Sequence, residues 1–209
     1  MVFLGGCTTG LHITDTAAGP VKTTSDVDAI IEAGSLVDYH AFSKRLRALG
    51  FSEDTSEGAP VCRWVLDTLT LDVMPIDEKI LGFSNKWYPM VITTATTVTL
   101  DNRYTIRAIT APLFLATKIE AFYGRGKGDY LGSADLEDIV SVIDGRPELL
   151  GEIASSDESV RSHLKSEFSN LMGITGFRDA LPGHLPPDPA SQARLEPLIQ
   201  KIQSIIDGN

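Results

Sequence analysis

Residues 22–31 run KTTSDVDAII, a hydroxyl-rich approach to a short apolar segment that carries two aspartates. Val27, Ile30 and Ile31 around Asp26 and Asp28 predict a β-strand. On a strand, residues two apart share a face, so the two carboxylates stand about 7 Å from each other. At an effective dielectric of about 20 they repel by roughly 2 kcal/mol. Folding gains nothing from that arrangement unless solvent, a cation or proton uptake relieves it.

Upstream, Val2-Phe3-Leu4 reads as a short buried strand that ends abruptly at Gly5-Gly6. Residues 7–25 are rich in Thr, Gly and Ala, and Gly19-Pro20 marks a turn. Downstream, Ser35 is the expected cap of a helix reaching Leu49 and closed by Gly50. Leu36, Tyr39, Phe42, Leu46 and Leu49 recur along it at helical spacing. Residues 61–66 and 69–74 read as two further strands. In the second, Leu69, Leu71 and Val73 alternate against Thr70, Asp72 and Met74, which puts Asp72 on the face away from the leucines. A Thr-, Val- and Ile-rich hairpin is expected over residues 90–109, turning at Asp101-Asn102.

The second half reads as helical. Pro112 suits the first turn of a helix that runs to about Tyr123 and stops at Gly124. The glycine-rich link 124–132 follows. A helix after Ser133 carries Leu136, Ile139, Val140 and Ile143 on one stripe. Val160, Leu164, Phe168, Leu171 and Met172 mark another. Prolines interrupt residues 181–190, which predicts an irregular strap. A last helix shows Leu195, Leu198, Ile199, Ile202, Ile205 and Ile206 on one face, to pack on this molecule or on a partner. The fold class is α/β (α+β): a small mixed sheet over residues 1–110, then a helical region over 111–209. There is no internal repeat.

Composition sets outer limits. The 209 residues are 43% hydrophobic and 22% charged, as in an ordinary globular protein. A formal charge of −10 argues against broad, sequence-independent binding to nucleic acid. Small basic groups remain at Lys44, Arg45 and Arg47, and at Arg125 with Lys127. No apolar run approaches the ~20 residues that span a bilayer, and MVFLGG is too short and lacks the basic leader of a signal peptide. The expectation is a cytoplasmic protein with no membrane partner. Cys7 and Cys62 form no C-x-x-C pair and read as buried thiols. His12, His40, His163 and His184 are scattered without zinc-site spacing.

The chemistry-bearing pattern is an order of features: a strand, Gly5-Gly6, the Asp26-Val27-Asp28 strand, then Asp72 alone in an apolar strand. Asp67, Asp77 and Glu78 compete as carboxylates but read as turn residues. If the two aspartate strands are neighbours, Asp26, Asp28 and Asp72 converge, and Mg²⁺ (or Mn²⁺) suits three carboxylates together with water and substrate phosphate. Three such acids can hold two ions roughly 4 Å apart, one activating a hydroxyl and the other taking the leaving phosphate charge. Gly5 and Gly6 permit close approach of backbone N–H groups to phosphate. Thr8 and Thr9 stand where hydroxyls could touch the β- or γ-phosphate, with Ser25 at the entry to the acidic strand. Each piece alone has a plain reading as a turn, a solvated strand edge or a Thr-rich loop; the order is what carries weight.

The stretches FLGGCTTG, KTTSDVDAII, LTLDVMP, LATKIEAFYGRG and SADLEDIVSVI resemble the nucleotidyltransferase superfamily that includes DNA polymerase β. More narrowly, they are similar to the AbiEii/MenT-like toxin nucleotidyltransferases. The resemblance spans residue 3 to about residue 145. It implies the nucleotidyltransferase fold, a phosphate-binding turn at Gly5-Gly6, and metal ligation by Asp26, Asp28 and Asp72. It further implies that Lys118 points to the triphosphate, that Arg125 is the accompanying basic residue, and that Asp135 or Asp138 completes the helical motif. The helical region would then complete the nucleotide cleft. Two departures stand out: Met1 leaves no room for the helix that usually precedes the first strand, and His12 to Gly19 lengthens the glycine-to-aspartate segment.

Read from the residues, Lys118 lies among Leu115, Ile119 and Phe122. It either covers core with its stem while its ammonium reaches water or contacts the triphosphate. Arg125 follows two helical turns later and can face the same cleft. Asp135 and Asp138 are one turn apart and can orient either base, although ordinary acidity at a helix start also explains Asp135. The expected activity is transfer of a nucleoside monophosphate from an NTP to an acceptor hydroxyl, with pyrophosphate released. The resemblance points to a tRNA 3′ end as acceptor and to a toxin with a cognate antitoxin. A protein or small-molecule acceptor, or a non-catalytic partner-binding protein that retains the fold, are the alternatives.

Overall fold

Side-chain caps at Ser35, Ser133 and Asp157 start three of the longer helices, where apolar residues recur at three-to-four spacing. The computed structural model describes residues 1–126 and 128–208; Lys127, grouped above with Arg125, lies outside them. β1 (Val2–Leu4) is followed by a 3-10 turn (Gly6–Thr8) and a single helical turn, α1 (Thr9–His12). β2 (Asp26–Ile31) leads to α2 (Leu36–Ala48), then to β3 (Ser52–Glu53), β4 (Arg63–Leu66) and β5 (Leu69–Pro75). α3 (Glu78–Leu81) and α4 (Tyr88–Thr94) precede the hairpin of β6 (Thr96–Leu100) and β7 (Tyr104–Ala108). The remainder is helical: α5 (Ala111–Arg125), α6 (Ala134–Gly145), α7 (Leu149–Ala154), α8 (Glu158–Gly173) and α9 (Thr175–Ala180). A 3-10 turn (Leu181–His184), α10 (Pro189–Gln192) and α11 (Leu195–Asp207) complete it. The fold is α/β, a mixed seven-stranded sheet with a helical C-terminal region. Among the described residues, no helix is long and apolar enough to cross a membrane.

The chain divides into two units. The sheet unit comprises Met1–Thr8 and Thr23–Thr110, and its strand order is β3-β4-β5-β2-β1-β7-β6. One sheet face is apolar: Ala29, Ile31, Trp64, Leu71 and Val73 pack with Tyr39 and Leu46 of α2. The Tyr39 hydroxyl donates to the Val73 carbonyl at 3.2 Å, which ties the helix to the sheet. Ser35 caps α2 as expected, accepting from the Asp38 N–H. Its buried stripe is Tyr39, Ser43 and Leu46, while Leu36 and Leu49 are exposed. Those two leucines occupy the first helical position and the C-cap, outside the stretch that faces the sheet. The hairpin begins at Thr96 rather than residue 90, because Pro89 starts the helix α4 in the first turn, where its missing N–H costs nothing. Asp101 and Asn102 turn it with φ of 48° and 54°.

The helical unit comprises Thr9–Lys22 and the chain from Ala111 onward. The insertion read between Gly6 and Asp26 therefore belongs with the helices. Thr14 and Asp15 N–H groups both donate to the Gly145 carbonyl at 3.0 Å, and Arg194 binds Asp15 at 2.7 Å. A Cβ on Gly145 would meet the Ile13 side chain at 2.8 Å, so a larger residue there would push this segment aside. α5 continues through Gly124 to Arg125, whose ion pair with Asp135 holds the final turn. Residues 181–190 are more regular than expected. Pro182 and Pro189 each stand in a first turn, and Asp188 caps α10 by accepting from Ala190 and Ser191. α11 buries Leu198, Ile202 and Ile205 against α6 and α8 of its own unit.

Leu198→Ala should cost about 2–5 kcal/mol in urea unfolding, because the side chain is buried within its own unit. His12 is buried against Phe114 with ring centroids 4.9 Å apart, and among the described residues its Nε2 meets no hydrogen-bond partner. Burial, helped by the Arg146 charge and opposed by Glu152, pushes His12 down to about 4. Between its ordinary value of about 6.5 and about 4, the unfolded chain binds a proton that the folded chain refuses. Stability present at neutral pH should thus fall through that window by up to ~3 kcal/mol. His12→Gln should flatten this part of the pH profile.

Candidate active site

β2 and β5 lie parallel, with Asp26 beside Thr70 and Asp28 beside Asp72. Partners across a ladder share a face, as do residues two apart on one strand. Asp26, Asp28 and Asp72 therefore stand together on the face opposite α2. β4 runs antiparallel to β5 and sets Arg63 beside Asp72 on that same face. The Arg63 guanidinium forks onto Asp72, Nε donating to Oδ1 at 2.8 Å and Nη2 to Oδ2 at 2.7 Å. Nη2 also donates to Asp26 Oδ2 at 3.2 Å, and the Thr24 hydroxyl donates to Asp26 Oδ1 at 2.7 Å. Hydrogen bonding to Asp72 raises the guanidinium further above its ordinary range, so it is always charged. Asp72 is buried, whereas Asp26 and Asp28 are half-buried.

The antiparallel pairing of β1 with β2 sets Leu4 beside Asp28, and this delivers the glycine turn to the acids. Gly5 has φ +72°, and a Cβ there would lie 2.1 Å from Asp28 Oδ2. Glycine is thus required twice, for its backbone conformation and for the space that the carboxylate takes. Gly6 opens the 3-10 turn that follows. Thr8 is buried, and both its N–H and its hydroxyl donate to the Gly5 carbonyl, at 3.0 and 2.9 Å. Ser25 is exposed in the bend before β2. Cys7 is only half-buried and donates to the Leu4 carbonyl at 3.1 Å. Burial, reinforced by Asp28 and Asp26, pushes its thiol up to about 11, which removes it as a nucleophile at neutral pH. Cys62 is buried, as expected of it.

The helical unit holds a second charged cluster. Lys118 on α5 is 6% exposed, and its ammonium lies 3.1 Å from Asp135 Oδ1 and 2.6 Å from Asp138 Oδ2 of α6. The ammonium is therefore tied inside the protein rather than led to water. Burial alone would lower its pKa, but the two carboxylates outweigh burial and raise it. Arg125 reaches Asp135 with two bonds, at 2.8 and 2.7 Å. Burial works against ionisation of Asp135, yet Arg125 and Lys118 hold it below the usual carboxylate range. Thr9 is buried, and its hydroxyl donates to Asp138 Oδ1 at 3.0 Å. As placed, neither the Thr8 nor the Thr9 hydroxyl is presented at the surface.

Arg63 is the site residue that the sequence reading passed over. The signal was present: strands at 61–66 and 69–74 leave only Asp67-Thr68 to turn the chain. Leu66 must then pair with Leu69, and three steps back Arg63 meets Asp72. Asp67 does occupy that turn, with φ +50°, and Asp77 caps α3. The three acids and Gly5 suit a hard divalent cation in donor chemistry and in shared face. Asp26 and Asp72 are nevertheless committed to Arg63, and among the described residues no three His, Cys, Asp or Glu are gathered to hold an ion. No family model matches the sequence, and no curated protein matches it either.

Gly5→Ala should destabilise the sheet unit by about 1–3 kcal/mol, read by urea unfolding. Asp28→Ala removes the atoms that the new methyl would strike most closely, so the double variant should recover part of the loss. Full additivity of the two changes would show that they do not meet.

Proposed function

We propose that the chain is a metal-dependent nucleotidyltransferase that moves a nucleoside monophosphate from an NTP to an acceptor hydroxyl and releases pyrophosphate. The carrying observation is the β2–β5 register, which sets Asp28 beside Asp72 with Asp26 on the same face. Asp26, Asp28 and Asp72 would hold Mg²⁺ or Mn²⁺, which when bound supplies Lewis-acid activation of the hydroxyl and neutralises triphosphate charge. Gly5 sets backbone without a side chain against Asp28 Oδ2, and this suits close approach of an anionic substrate. The resemblance assigns Lys118 and Arg125 to the triphosphate. Their common anchor, Asp135, would hold both in fixed positions, with Asp138 fixing the lysine from its other side.

On this reading the acceptor is a tRNA 3′ end, the setting is the cytoplasm, and the partner is an antitoxin that restrains the enzyme. A second reading has a specific observation in its favour. The Arg63 fork satisfies two of the three acids internally, as would suit a non-catalytic binding protein that retains the fold.

Incubation with each labelled NTP, Mg²⁺ and either total tRNA or protein extract separates these readings. Label entering RNA supports the proposal as stated, and label in protein or in small product reassigns the acceptor. Asp28→Ala should reduce transfer by at least ~100-fold while the protein remains folded. Transfer at the parental rate by that variant would falsify the mechanism, and no transfer from any NTP favours the binding protein.

A further inference from the structure

The most unusual feature of the acidic face is that it carries its own cation. Arg63 makes three charge-assisted hydrogen bonds to two of the acids assigned to metal. Both oxygens of Asp72 are engaged, as is one oxygen of Asp26. A guanidinium cannot lose its proton near neutral pH, so it can leave these acids only by moving. It has room to do so. Its side chain keeps 25% of its surface exposed, against 10% for that of Asp72. Another acid is within reach of its charge: Asp54, whose N–H is bonded to the Arg63 carbonyl at 3.1 Å. Two cations drawn to the same carboxylate oxygens repel each other, and each satisfies the acids that the other would leave.

Resting on the reading of Asp26, Asp28 and Asp72 as metal ligands, we propose that Arg63 is an internal competitor for the metal. Its fork holds Asp26 and Asp72 in the metal-free protein, and a divalent cation enters as the guanidinium swings off them. The exchange keeps the buried Asp72 paired in both states. It also raises the cation concentration needed to load the site.

The test uses the full chain and Mg²⁺ alone, with no nucleotide. In calorimetric titration, Arg63→Gln should bind Mg²⁺ about tenfold or more tightly than the parent. Arg63→Lys, which keeps the charge but loses the fork, should fall between them. Lost charge by itself can raise affinity, so a second measurement follows the arginine directly. In the parent, the Arg63 Nε–H resonance, assigned by its absence from the variants, should lose its hydrogen-bonded shift as Mg²⁺ is added. This measurement stands on the parent and the lysine variant if the glutamine variant fails to fold. Mg²⁺ binding that leaves the Arg63 signal unmoved, or equal affinity in parent and variants, overturns the competition while the metal site stands. No Mg²⁺ binding by parent or variant overturns both.

Discussion

Parallel pairing of β2 with β5 is the constraint on which the sheet unit depends, because it settles both faces at once. On one face it aligns Val27 with Leu71 and Ala29 with Val73, in the cluster that Tyr39 and Leu46 complete. On the other it aligns Asp28 with Asp72. A slip of one residue would turn Asp72 under α2 and bring Leu71 and Val73 to the acidic face. The apolar packing therefore enforces an electrostatic arrangement that the acids would not choose. Burial drives the register, and like charges are gathered as its consequence.

That gathering requires compensation, and the chain supplies it in the same way in each unit. In the sheet unit, Arg63 answers Asp72 and Asp26. In the helical unit, Lys118 lies between Asp135 and Asp138, and Arg125 closes on Asp135 from outside. In both clusters a nearly buried carboxylate meets a cation with short, charge-assisted bonds, which is the condition for ionised groups to persist away from water. On the proposed reading, the first cluster exchanges its cation for a metal ion. The second keeps its lysine charged.

Much of this was visible beforehand in local pattern. The D-x-D strand, the isolated acid in β5, the Ser35 cap, the helix start after Ser133 and the terminal stripe follow from spacing and chemistry within a few residues. Where the reading departed, a distant partner had overruled a local preference. Gly124 does not stop α5, because Arg125 finds Asp135 ten residues on. Residues 9–22 are not a plain loop of the sheet unit, because Gly145 accepts their N–H groups. Thr9 reads as a phosphate contact in a hydroxyl-rich loop, yet its hydroxyl turns inward to Asp138, while that of Thr8 turns to the nearby Gly5 carbonyl. Arg63 was legible from the two-residue turn at Asp67-Thr68, but an arginine in a strand invites the assumption that it faces solvent.

The amino-acid order by itself determined which residues alternate on β5, that Ser35 caps α2, and that Asp26 and Asp28 share a face, since these depend on backbone geometry over a few positions. Only the tertiary structure decided that Asp72 stands beside Asp28, that Gly5 makes room for that carboxylate, and that Arg63 binds two acids while Lys118 is enclosed by two others. Strand neighbours and ion pairs are settled by packing between segments far apart in the chain, where the burial of apolar faces selects one register from many that local propensity allows.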